Sequence, residues 1–303
     1  MSSPSRRAGP PADKGAGLLD YLAAFAQYPL PTHAISRLVH ALTRSRVRWL
    51  KDMLIRRFIA HFGVDMNEAQ HSEPSAYPDF NSFFTRALKS GCRPLASGRG
   101  ELICPVDGTV SQVGHIESDS LLQAKGHYYS LQTLLGGSRE LADTFANGEF
   151  ATLYLSPRDY HRIHMPLEGR LRQMVHVPGR LFSVNPRTTR AVPRLFARNE
   201  RVVTVFDTAA GPIALVLVGA INVASIETIW HGEVTPPAGR SVRTWRYEDA
   251  AAPLVLERGQ EMGRFNMGST VIVLFAPGAA AWDRAIHPGA PVRMGQRLGR
   301  QRD

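Results

Sequence analysis

From Leu102 to Phe275 the chain is divided into short apolar runs by turn residues, and that rhythm limits the folds open to it. Candidate strands are Thr109–Val113, Phe150–Leu155, Leu171–Val177, Arg201–Phe206, Ile213–Val218, Ala220–Ile226 and Val271–Phe275. Asp107-Gly108, Asn147-Gly148, Ala210-Gly211-Pro212 and Pro236-Pro237 separate many of them, supplying corner conformations that strand-forming residues avoid. Few helical stretches interrupt, chiefly Tyr129–Leu135 and Arg139–Phe145. The pattern predicts an α+β chain that is mostly β. A mostly antiparallel domain over residues 71–303 would sit behind N-terminal amphipathic helices in 18–70, with a Ser-, Pro- and Arg-rich leader over 1–17.

Those helices carry much of the chain's charge. Thr32 is placed to cap a helix in which Ile35, Leu38, Val39 and Leu42 share one face, with Arg37, Arg44, Arg46 and Arg48 around them. A second stripe joins Leu50, Leu54 and Phe58, widened by Met53, Ile59 and Phe62 and flanked by Lys51, Arg56 and Arg57. Either the pair lies in a membrane interface, with Trp49 and Phe58 as anchors, or it packs on the core and shows a solvated basic face.

The formal net charge of +10 asks for an anionic partner, nucleic acid or an acidic membrane. No helix-turn-helix, zinc-finger or aromatic RNA-binding signature accompanies the charge, so nucleic acid is the poorer fit. No apolar run reaches the roughly 18 residues that a spanning helix needs. Cys92 and Cys104 form neither CxxC nor zinc-ligand spacing, which suits a reducing compartment and no structural metal.

Three clusters offer chemistry: Asp107 in CPVDGTV, His161 and His164 in SPRDYHRIHMP, and Ser269 in FNMGSTVIVLF. Individually each has a structural explanation as a turn, a surface pair or a chance hydroxyl. Together they supply an acid, an imidazole and a hydroxyl, the parts of an activated nucleophile. A serine hydrolase fits poorly, because the nucleophile elbow wants glycines where Met267 and Val271 stand.

The stretch LERGQEMGRFNMGSTVIVLF closely resembles the processing region of phosphatidylserine decarboxylases. FNSFFTRAL, PVDGTV, LLQAKGHYYSL, YLSPRDYHRIHMP, VPGRLFSVN, LFARNERV and SIETIWHGEVTPP resemble further segments of that family in the same order, from about Leu30 to Gly299. Met267 stands where many members have leucine, a change between unbranched apolar side chains.

The resemblance implies that Ser269 attacks the carbonyl of Gly268 and that the resulting ester eliminates. The products are residues 1–268 (the beta chain) and residues 269–303 (the alpha chain), the latter headed by a pyruvoyl group made from Ser269. Asp107, His164 and Ser269 would form the charge relay for that cleavage, and His161 would transfer a proton during decarboxylation. The pyruvoyl group, as a Schiff base with phosphatidylserine, would release CO2 and phosphatidylethanolamine with neither metal nor pyridoxal phosphate. Implied partners are the lipid, an anionic membrane surface and the two chains held as a heterodimer, its further dimerisation open. The implied place is the cytoplasmic side of the cell membrane, peripherally bound. The resemblance also implies a barrel-sandwich-like domain related to lipoyl-type modules, and Pro288–Gly299 has a matching strand–turn–strand look. Two alternatives stand beside it: a membrane-binding β module with an inert processing site, and a decarboxylase of another serine-bearing lipid.

Overall fold

A computed structural model of the chain describes residues 16–124, 126–221, 225–235, 241–250, 252–268 and 270–302. Nearly all of the leader, the Pro236-Pro237 turn and Ser269 itself lie outside the described residues.

Four helices come first: α1 (Leu18–Phe25), α2 (Thr32–Thr43), α3 (Arg48–Phe62) and α4 (Phe80–Phe84). Helix α2 starts at Thr32 rather than being capped by it; Pro31 holds the cap position and no side chain closes that end. Helix α3 stops at Gly63, whose φ of 66° gives the left-handed C-terminal corner that glycine adopts without strain. Its predicted stripe is largely correct: Leu54, Phe58 and Ile59 pack on a small aromatic core built with Phe80, Phe83 and Phe84 of α4. Ile55, absent from the four-residue spacing, is the fully buried member. The Phe58 ring meets Phe80, Phe83 and Phe84 edge-on at 5.2, 6.0 and 5.8 Å, contacts worth about 0.5–1.5 kcal/mol each beyond area burial.

Helix α2 is inverted relative to a core helix. It buries Thr32, Ser36 and Thr43, while Leu38 is 70% exposed.

The expected α+β class, mostly antiparallel β, is what the chain forms. Among the described residues the largest sheet has nine strands, all paired antiparallel. At its centre Thr270–Phe275 pairs with Glu149–Tyr154 on one side and Gly211–Val218 on the other, with every residue of the central strand buried. Burial on both faces explains its unbroken β-branched sequence. A second sheet of four strands contains Ser225–Thr228, Glu261–Asn266 and Arg162–His164. Among the described residues no sheet closes into a barrel; each keeps two edges.

Two boundaries differ from expectation. The strand placed over Ala220–Ile226 occupies Ser225–Thr228, with 222–224 outside the described residues. Tyr129 belongs to the strand His127–Ser130, and the helix begins only at Leu131, where the Ser130 side chain accepts from the Thr133 amide. That cap ends the strand and starts the helix within one residue. The Pro288–Gly299 tail does place Pro291–Val292 and Arg297–Gln301 on either side of a Gly295 corner (φ 83°).

Consecutive strands Glu261–Asn266 and Thr270–Phe275 lie in different sheets, so the chain crosses from one sheet to the other through residues 267–269. That crossing sets the positions of Met267 and Gly268.

Candidate active site

The crossing is strained where it leaves the first sheet. Met267 has φ of 100°, a conformation that costs an unbranched side chain about 1–3 kcal/mol unless its surroundings hold it. Its side chain is held against the aromatic core of α3 and α4. One residue earlier, Asn266 accepts from Asn81 of α4 at 3.0 Å and donates to the Ser225 hydroxyl, fixing the strand end from both sides. Gly268 follows, beside His161: a Cβ built on that glycine would have His161 Cε1 as its nearest neighbour, at 4.0 Å. Met267 and Gly268 line a cavity of about 260 Å³ with Phe58, Phe62, Phe84 and Ser183.

His161 is fully buried and stacks on Phe84, ring centroids 4.1 Å apart. Its Nε2 lies 3.1 Å from the Ser156 carbonyl, which can only accept, so Nε2 carries the proton and donates. Burial first, and the nearby Arg86 cation second, push its pKa down to about 3. The ring is therefore neutral at physiological pH, and Nδ1 keeps a lone pair with no hydrogen-bond partner in the protein. An uncharged ring with one unpartnered nitrogen thus stands beside Gly268, one residue after the strained Met267.

His164 stands elsewhere. Residues three apart on a strand point to opposite faces, and the contacts agree. His164 Nδ1 donates to the Gly259 carbonyl at 2.9 Å, while Nε2 accepts from the Tyr160 hydroxyl at 3.0 Å. That hydroxyl keeps its proton, since burial pushes the Tyr160 pKa up to about 12. Burial lowers the pKa of His164 as well, opposed by its bond to Gly259 and by the field of Glu261 and Asp107.

Asp107 makes no hydrogen bond to either histidine. It accepts from Arg93 through Nε at 2.9 Å and Nη2 at 2.5 Å, and from the Met294 amide at 2.8 Å. Arg93 is shared with Glu68 at 2.6 Å. Asp107 and His164 nonetheless occupy one neighbourhood, since the His164 amide donates to the Pro105 carbonyl, two residues before Asp107. The orientation of His164 expected from Asp107 is supplied here by the Gly259 carbonyl, with Asp107 acting through its field. Of the sequence-derived residues, the fold thus joins His161 to Gly268 and gathers Asp107 and His164 separately. Ser269 falls outside the described residues.

Arg93, Tyr160, Gly259 and Asn266 were not expected from motif reading. Arg93, Gly259 and Asn266 have partners 14, 95 and 185 positions away, so no local signal marks them. Tyr160, by contrast, stands four residues before His164 in the same SPRDYHRIHMP stretch and could have been read there.

Comparison with known proteins agrees with the geometry. The family model described as phosphatidylserine decarboxylase matches residues 80–300, which include both histidines, the crossing and all of the cavity lining except Phe58 and Phe62. The chain belongs to the phosphatidylserine decarboxylase family. A second model, described as PSD, covers residues 22–63, the segment of α1 to α3. Among similar curated proteins, the phosphatidylserine decarboxylase proenzyme of Stutzerimonas stutzeri is 57% identical over 92% of this chain and 94% of its own length. That of Pseudomonas fluorescens is 58% identical over 90% and 95%, and that of Alkalilimnicola ehrlichii is 60% identical over 84% and 88%. Family membership makes the chain a carboxy-lyase of phospholipid biosynthesis, made as a proenzyme.

Proposed function

We propose that this protein cuts itself between Gly268 and Ser269 and then decarboxylates phosphatidylserine to phosphatidylethanolamine. The observation that carries the reading is the sheet-to-sheet crossing at 267–268, strained and set against a neutral, buried His161, in a chain of this family.

Self-cleavage begins as the Ser269 hydroxyl attacks the Gly268 carbonyl, exchanging the peptide bond for an ester. Loss of the Ser269 α-proton then expels the upstream chain as a carboxylate. In the charge relay of Asp107, His164 and Ser269, Asp107 would act on His164 through its field and the Ser269 hydroxyl would have to take the place of Tyr160 at His164 Nε2. His164 supports that role with its Nδ1 proton fixed on Gly259 and its Nε2 free to exchange Tyr160 for a hydroxyl proton. The topology supports it too, because each new end stays anchored in its own sheet and the cut pieces hold together as one fold.

The residues around position 269 fit a pyruvoyl group. Thr270, to which it would be peptide-bonded, has a buried hydroxyl without a partner, and His161 Nδ1 is likewise unpartnered. A donor on the residue after 269 and an acceptor on the histidine beside Gly268, both idle, suit a small ketone and amide. Such a group supplies a carbonyl that captures an amine and accepts the electrons released as carbon dioxide departs. Thr270 would hold it through the backbone pairs with Tyr154 and Val218. His161 exchanges the proton at Nδ1, since its Nε2 proton is committed to Ser156. Phe58, Phe62 and Phe84 give the cavity an apolar wall.

The helices supply the approach to a lipid. No helix among the described residues is long and apolar enough to cross a membrane. Leu18, Leu19, Phe25, Leu38 and Trp49 are each at least 70% exposed, an outward apolar surface set among arginines. Burying it in an interface while the arginines meet anionic headgroups gives peripheral attachment on the cytoplasmic face.

The test is carbon dioxide release by the purified protein from vesicles containing phosphatidylserine, beside vesicles holding other serine-bearing lipids. Turnover of phosphatidylserine alone is expected. Equal turnover of another lipid would move the substrate, and no turnover with an uncut chain would leave a membrane-binding module.

A further inference from the structure

Two arginines are buried in the described residues, and the fold treats them differently. Arg201, 2% exposed, gives Nε to the Leu134 carbonyl, Nη1 to those of Ala197 and Asn199, and Nη2 to that of Thr133. It is a structural guanidinium with its donors spent. Arg86, 4% exposed, makes one such bond, Nη2 to the Arg158 carbonyl at 3.0 Å, and lies 5.7 Å from the Phe83 ring centre. Its Nε and Nη1 are buried without a hydrogen-bond partner. Leaving charged donors idle in a low-dielectric interior is expensive, and such groups persist where a ligand completes them.

Arg86 lines a cavity of about 380 Å³, the size of a small-ligand site. The carboxylates around it are already engaged. Asp107 and Glu68 take Arg93, Glu68 also takes Arg293, Asp159 accepts from the Ser156 amide and hydroxyl, and Asp65 accepts from the Asn67 amide. The exposed Arg158 stands at the rim. The unspent hydrogen-bond donors in the cavity are thus those of Arg86, beside two carboxylates, Asp65 and Asp159, that accept from neutral groups. Two N–H groups of one guanidinium match the oxygens of a carboxylate or a phosphate. Arg86 is also two residues from Phe84, which stacks on His161, and close enough for its charge to act on that imidazole.

We infer that Arg86 and its cavity form an oxyanion subsite that takes the carboxylate or phosphate of a phosphoserine headgroup. The inference rests on the proposed substrate but can fail separately from it.

The experiment uses the full-length processed protein and follows thermal stability against inorganic phosphate, serine, glycerophosphoethanolamine and glycerophosphoserine. Glycerophosphoserine is expected to stabilise the wild type, and Arg86→Met to remove the effect. In vesicle assays Arg86→Met should raise KM at least about tenfold, with partial recovery in Arg86→Lys. Stabilisation by serine without glycerophosphoethanolamine assigns the subsite to the carboxylate; the reverse assigns it to phosphate. If glycerophosphoserine leaves the wild type unmoved, or stabilises Arg86→Met equally, the subsite is wrong even though decarboxylation proceeds. Should Arg86→Met not fold, the same titration of Arg86→Lys decides: a weakened response supports the subsite and an unchanged one refutes it. A protein that binds these anions through Arg86 yet releases no carbon dioxide would keep the subsite and overturn the proposed reaction.

Discussion

Acidification should expose the cost of keeping His161 neutral. Folded, the ring takes a proton only near pH 3; unfolded, it does so at the ordinary value of 6.5. Between those limits the unfolded chain binds more protons than the folded one, so stability falls as pH falls. The loss begins below about pH 6.5 and is complete near 3, where the gap corresponds to about 5 kcal/mol. From pH 7 to pH 5 this single group accounts for about 2 kcal/mol. The carboxylates and His164 also titrate, so the measurement is a difference. Urea unfolding at both pH values would compare the chain carrying Ser269→Ala with the same chain carrying His161→Gln as well. Glutamine can still donate to the Ser156 carbonyl but has no charged form. The stability drop from pH 7 to pH 5 should be smaller by about 2 kcal/mol in the glutamine variant. An identical drop in both chains would show that His161 is not held neutral and would remove the free Nδ1 base from the account.

Other outcomes follow from the same geometry. His164→Ala should leave the chain uncut, while His161→Ala should still cut and lose about 100-fold or more in decarboxylation, read by gel and by carbon dioxide release. The reverse pattern would make His161 the base for cleavage. Gly108→Ala should destabilise the fold by about 3 kcal/mol, because a Cβ there runs into the Tyr154 carbonyl at φ of 157°; urea unfolding measures it. Binding to anionic vesicles should weaken at high salt and on Trp49→Ala, followed by sedimentation; salt-insensitive binding would point to apolar insertion alone.

Much of the fold was legible because its signals are local. The run Val271–Phe275 reads as a strand buried on both faces, and Arg139–Phe145 reads as a helix, now seen with Ser138 as its cap. Short edge pieces such as Pro291–Val292 and Val255–Leu256 carry too few residues to show a period. The resemblance named residues for the site but said nothing of their wiring. His161 and His164, three positions apart, look like neighbours in sequence, yet the strand period sends His161 toward Gly268 and His164 toward Gly259. Nor does composition reveal that Arg93 claims Asp107, a pairing made by a loop folding back on a turn. Helix α2 shows the limit from another side. Its stripe was visible, but only the buried Thr32, Ser36 and Thr43 reveal which face turns outward.

Intact mass spectrometry of the purified protein, beside its Ser269→Ala variant, bears most directly on the self-cutting crossing. The account predicts two chains from the wild type, residues 1–268 and 269–303, the shorter with a blocked first residue, and one uncut chain from the variant. A wild type that stays a single polypeptide of 303 residues, or a variant that is cut at the same bond, would contradict it.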